Sequence, residues 1–199
     1  MAAAPSPARC RHGAARKLLR RGLTLLALAL ALAMPPLHGL ADPSRDDAIK
    51  AGFLFNFAEF ADWPNKRPRP TDIAFCIEAG TIPREAFGKF SSVQIGERQI
   101  STTIAAATDF LDIRTVCDLI FLRSTEPDLP RLLSLAEQRH VLLVSDRAGF
   151  AASGGHIELY LSQGKYRFRV NLATMRRSGI ELSSKVLRLA EIVSPDGGT

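Results

Sequence analysis

Three short apolar runs constrain this chain more than anything else in it: IAFCI at 73–77, CDLIFL at 117–122 and VLLV at 141–144. Each is of strand length and apolar almost throughout, the pattern of a strand covered on both faces. A helical stretch at 128–138 separates the last two, and strand, helix, strand predicts a right-handed parallel crossover. The pattern then changes. Ile157, Leu159 and Leu161 alternate with His156, Glu158 and Tyr160; beyond Ser162-Gln163-Gly164-Lys165, Tyr166, Phe168 and Val170 alternate with Arg167 and Arg169. Alternation on both sides of a glycine-containing turn predicts an antiparallel hairpin with one wet face. The expected fold class is α/β: a single-domain mixed sheet, parallel core plus antiparallel hairpin, flanked by helices.

Helix signals frame these strands. A first helix is expected over 42–61, capped by Asp46 or Ser44, with Ile49, Phe53, Phe57 and Phe60 recurring on one core-facing stripe. Trp63-Pro64 ends it, and the polar run at 65–70 reads as a loop. Pro83 opens a short helix through Phe90, and a weaker strand follows at 98–104. Asn171 can cap a helix ending at Gly179, and Ser183 or Ser184 a last one carrying Val186, Leu187, Leu189 and Ala190.

The first forty or so residues read as an export signal and are set aside from the fold. Arg9, Arg11, Arg16, Lys17, Arg20 and Arg21 form a basic leader, followed by the apolar run GLTLLALALALAM at 22–34. That run is shorter than the roughly 20 residues that span a bilayer core, and Pro35-Pro36 ends it. Gly39-Leu40-Ala41 supplies small residues for cleavage, so 1–41 is expected to be a cleaved signal peptide, 42–193 the domain and 194–199 a flexible tail. An uncleaved anchor is the alternative, and Arg20-Arg21 is only a weak twin-arginine signal.

Of 26 basic and 20 acidic side chains, six basic and no acidic ones precede Asp42, so the remainder is charge-balanced. The high pI belongs to the leader and is no evidence for nucleic-acid binding, so no nucleic-acid partner is expected for the domain. Cys10 leaves with the leader, so Cys76 and Cys117 remain. In an oxidising compartment they read as one disulfide; two buried thiols are the alternative.

Chemistry-bearing motifs are sparse. His140 and His156 lie in no metal-ligand spacing, and Ser145 sits in no nucleophile elbow. No catalytic, cofactor or metal site is expected. The segment from Asp146 through Phe150 to Gly154-Gly155 reads either as a tight turn into the hairpin or as a recognition loop at the strand ends. Arg167 and Arg169, with Lys165, could meet an acidic partner or lipid head groups; protection of an exposed sheet edge is favoured, with Glu158 as a cross-strand counter-charge. Phe55 points off the aromatic stripe, as a partner or dimer contact or as a second buried face.

Five blocks in order are informative in another way: AIKAGFLFNFAEFADWP at 48–64, IAFCIEAG around Cys76, CDLIFL from Cys117, VLLVSDRAGFAASGGHIEL and FRVNLATMRRSGIELSSKVLRLA. Together they resemble the YfiR family of periplasmic proteins across nearly the whole domain. The resemblance implies a periplasmic repressor that binds the extracytoplasmic domain of an inner-membrane diguanylate cyclase, lowering cyclic-di-GMP and biofilm formation. It also implies relief by an outer-membrane lipoprotein, a single-domain α/β homodimer and a structural disulfide. Cys76 and Cys117 would be the family's inter-strand pair. The second cysteine pair that some members carry near the loop before the hairpin has no counterpart here. A periplasmic small-molecule or envelope-stress binding module is the alternative function.

Overall fold

The computed structural model describes residues 44–64, 72–112, 116–123 and 128–193. Packing divides the chain into Met1–Ala41 and Asp42–Thr199, and every described residue lies in the second part. The leader expected over 1–41, the loop at 65–70 and the tail at 194–199 fall outside the described residues.

Helix α1 (Arg45–Glu59) starts where the Ser44 hydroxyl accepts the amide of Asp47 at 3.1 Å. Asp46 and Asp47 lie in its first turn, where the helix dipole favours negative charge. Its buried residues are Lys50, Ala51, Leu54, Phe57 and Ala58, a face rotated from the stripe of Ile49, Phe53, Phe57 and Phe60. The helix is covered on several sides. Phe53 lies 5.9 Å from the ring of Phe168, and Phe55 stacks on Phe90 at 4.8 Å. The small side chains of Ala51 and Ala58 are therefore free to face the core. Phe55 is half-buried and packed against the main core, with Phe90 as its ring partner.

Ten strands follow among the described residues: β1 (Ala61–Asp62), β2 (Asp72–Glu78), β3 (Gln94–Ile95), β4 (Arg98–Ala105), β5 (Leu119–Leu122), β6 (Leu142–Ser145), β7 (Ile157–Ser162), β8 (Lys165–Val170), β9 (Glu181–Leu182) and β10 (Glu191–Ile192). Helix α2 (Leu129–Arg139) joins β5 to β6, and α3 (Leu172–Arg177) and α4 (Ser184–Leu187) follow the hairpin. Two 3-10 helices, Arg84–Phe90 and Ala107–Leu111, flank β3 and β4. The main sheet runs β10-β8-β7-β6-β5-β2-β4-β3. Strands β4, β2, β5, β6 and β7 are mutually parallel, while β7–β8 and β3–β4 pair antiparallel. This is the mixed α/β sheet expected from the sequence.

The apolar runs alternate between two cores. Ile73, Phe75 and Ile77 of β2, Leu119 and Phe121 of β5, and Leu142 and Val144 of β6 join Leu54 and Phe57 beneath α1. Cys76, Ile120, Leu122 and Leu143 point the other way, to Phe110, Leu132, Ala136 and Phe150. Both faces of the central strands are thus dry, which is why the runs show no alternation. In this second core Cys76 and Cys117 are disulfide-bonded, with Cα atoms 5.8 Å apart.

The last caps are as expected. Asn171 accepts the amide of Thr174 and Ser183 that of Lys185. The hairpin register pairs Glu158 with Arg169. Strand β10 pairs with β8 through Glu191–Arg169 and Ile192–Val170, so that end of β8 is not a sheet edge. Edge protection is corrected for Arg169, while Lys165 and Arg167 lie on the stretch of β8 that has no outer strand among the described residues. The hairpin's polar face is also drier than expected, since Glu158 is buried.

Candidate functional site

In sequence order β2 is the first long parallel strand; its second, β4, lies on one side and its third, β5, on the other. Such a reversal opens a crevice at the carboxyl ends of the two strands that part, the usual ligand position in open α/β sheets. Here those ends carry charge. Glu78 ends β2 and accepts the backbone amide of Arg123, the residue after β5, at 2.5 Å. Asp146, the residue after β6, accepts from Arg123 Nε at 2.9 Å on Oδ1 and from Nη2 at 2.7 Å on Oδ2, a bidentate pair. Lys50 Nζ reaches Asp146 Oδ2 from α1 at 2.6 Å and lies 5.8 Å from the ring centroid of Tyr166.

Burial works against ionisation of Asp146, but hydrogen bonds from Arg123 and Lys50 outweigh it and hold its carboxyl below the usual range. Arg123 is raised, chiefly by the same bond to Asp146. The Lys50 and Asp146 side chains are nearly buried at 10% and 11% exposure, whereas Arg123 is 46% exposed. The site therefore presents one accessible guanidinium over a fixed, buried ion pair.

A second polar network lies behind it. His156 is fully buried; its Nδ1 accepts the amide of Leu143 at 3.1 Å, so Nε2 carries the proton and donates to Ser178 Oγ at 3.0 Å. That tautomer is the reverse of what a base activating a serine requires. Burial, aided by Arg177, depresses His156 to a pKa of about 3. An unfolded histidine titrates near 6.5, so below that pH the unfolded state binds the additional proton and stability falls until the folded group also titrates. Between pH 7 and pH 5 the domain is expected to lose roughly 2 kcal/mol at this site. Urea unfolding at the two pH values checks this, with His156→Gln expected to flatten the dependence.

These two networks sit in a domain whose residues 47–191 match the YfiR/HmsC-like family model. The chain belongs to the YfiR/HmsC-like family. No curated protein matches it. Among solved structures it is similar to the ABC domain in complex with L-Trp from Streptococcus pneumonia, at a TM-score of 0.47 and 8% identity over 74% of this chain and 62% of that one. It is likewise similar to a conserved domain protein from Vibrio cholerae O1 biovar El Tor, at 0.46 and 9% over 74% and 60%. The chain thus spans about three fifths of the length of each.

Within this YfiR/HmsC-like domain the candidate residues separate. Asp146 lies in the charged crevice with Lys50 and Arg123, neither of which the sequence singles out. Phe150 is fully buried and Gly155 lies against its ring, so these two present no surface for a partner. The loop they belong to is held at Ala151, which donates its amide to Glu158 at 3.1 Å and accepts from the Asn171 side chain at 2.9 Å. Gly154 is half-buried at positive φ and makes the turn. Arg169 is engaged by Glu158 at 3.0 Å and Glu191 at 3.2 Å and lies 3.9 Å from the ring centroid of Tyr160. Arg167 is exposed beside it.

Proposed function

We propose that this chain is a periplasmic regulatory protein that binds the extracytoplasmic domain of an inner-membrane diguanylate cyclase and represses it, lowering cyclic-di-GMP and biofilm formation. The observation that carries the reading is the family match over 47–191. The basic leader and apolar run ahead of the domain support export. A homodimer is the working form, and an outer-membrane lipoprotein relieves the repression. The domain contributes binding, not chemistry.

Deleting the gene is expected to raise cyclic-di-GMP several-fold and increase adhesion. Mass-spectrometric quantification in parent and deletion strains checks this, with the protein's expression in the parent confirmed. Unchanged cyclic-di-GMP would remove the repressor reading.

A second reading, a periplasmic binding module for a small molecule, is favoured by one observation: the charged crevice at the carboxyl ends of β2 and β5. On that reading Asp146→Asn abolishes ligand-dependent stabilisation without altering cyclic-di-GMP.

A further inference from the structure

The two edges of the main sheet differ. At one, β10 covers the end of β8 and the rest of that strand carries Lys165 and Arg167; at the other, β4 is paired with β2 from Gln99 to Ala105 on one side only. On the other side β3 covers just Arg98 and Gln99. Past Gln94 the chain turns away, the amide of Val93 bonding back to Phe90 at 3.0 Å. From Ile100 to Ala105, no strand lies beside the outer edge among the described residues.

Which backbone groups this edge offers follows from the pairing. The Ala105 carbonyl accepts from Ala79, on the β2 side, so residues 105, 103 and 101 face inward and Ile100, Thr102 and Ile104 face out. Exposed edges are ordinarily blunted by charge, proline or a bulge. The segment ISTTIA has no charge and no proline. A groove of about 220 Å³ runs alongside it, lined by Phe87, Gly88, Phe90, Ser91 and Ile100. At its rim Arg84 donates from Nη1 to the outward carbonyl of Thr102 at 2.5 Å, so the outward groups left open are the amides and the carbonyls of Ile100 and Ile104, and a strand that takes the Thr102 carbonyl frees the guanidinium for another acceptor.

We propose that the outer edge of β4 receives an added strand from another protein, an extended segment with a carboxylate beside Arg84 and an apolar side chain two positions away in the groove. The spacing follows from strand geometry, in which alternate residues share a face. Arg84 decides the occupant. A second copy of this chain pairing antiparallel about Thr102 would set two Arg84 side chains against each other, an unfavourable like-charge contact. An acidic residue there instead gains a charge-assisted hydrogen bond from the guanidinium. The proposal stands on the edge itself and does not depend on the cyclase reading.

The probe is the capped peptide acetyl-Thr-Ile-Thr-Val-Thr-Glu-Thr-Val-amide, titrated to millimolar concentration into the isotopically labelled domain, starting at residue 42. Expected are slowed hydrogen exchange and shift changes at the amides of Ile100, Thr102 and Ile104. Affinity should fall at least tenfold when the peptide's glutamate becomes lysine, a change that leaves the protein untouched. The same loss is expected from Gly88→Leu; a Cβ at Gly88 meets nothing within 4 Å, so this variant fills the groove while the fold persists. No protection at those three amides at millimolar peptide overturns the proposal. So does binding indifferent to the peptide's charge, or protection that rises with protein concentration alone and marks a second copy as the occupant.

Discussion

Cys76→Ser or Cys117→Ser is expected to lower the melting temperature of the domain by roughly 10 °C. The bridge spans 41 residues of sequence and joins β2 to the residue pair preceding β5. On the chain-entropy account a loop of that length restricts the unfolded state by about 4 kcal/mol. Domains of this size hold only about 5–15 kcal/mol in all, so the loss is a large share. Both cysteines are buried in the second core, so either substitution also sets a hydroxyl among largely apolar side chains, and that adds to the cost. In cells the variants should be depleted and should mimic deletion. Scanning calorimetry gives the shift, and mass spectrometry of unreduced protein should find the Cys76–Cys117 linked peptide. Free alkylation of both thiols in unreduced protein would dispose of the argument.

Gly155→Val should be nearly as damaging, for a different reason. A Cβ built at Gly155 falls 2.2 Å from the ring of Phe150, which is itself fully buried. The ring cannot swing to solvent, and the adjacent backbone is held by the Ala151–Glu158 and Ala151–Asn171 bonds. Overpacking of this kind costs about 3 kcal/mol. Phe150→Leu alone opens a small void, yet combined with Gly155→Val it should recover part of the loss. A double-mutant cycle from urea melts should therefore give a coupling above about 1 kcal/mol. Additive effects would show that the clash is relieved elsewhere.

The sequence was most legible where periodicity is long and unambiguous. Continuous apolar runs announced β2, β5 and β6 because both faces of each are buried, and the hairpin followed from its alternation. Caps at Ser44, Asn171 and Ser183 carry local hydrogen-bond chemistry and could be read as such. The face of α1 was not readable, because a helix packed against the sheet, the hairpin aromatics and Phe90 is apolar in several directions at once. Strands β1, β3, β9 and β10 are two residues each and have no period to detect. The site was half visible. Asp146 stood out at a strand end, but Lys50 and Arg123 are single charges 96 and 23 residues away from it, brought together only by topology. Local spacing carries no trace of such an assembly.

The small two-stranded sheet has a temporal meaning. Strand β1, directly after α1, pairs with β9 through Ala61–Leu182 and Asp62–Glu181, and Ser183 donates its amide to the carbonyl of Phe60 at 2.9 Å. Helix α1 is the lid of the larger core, and its end is latched by residues that lie some 120 positions further along the chain. A chain that emerges amino terminus first completes this latch well after β2, β5 and β6, the strands α1 covers, and closure over so long a separation is slow. A chain truncated before Glu181 is therefore expected to keep the core contacts of α1 and to fray at its final turn.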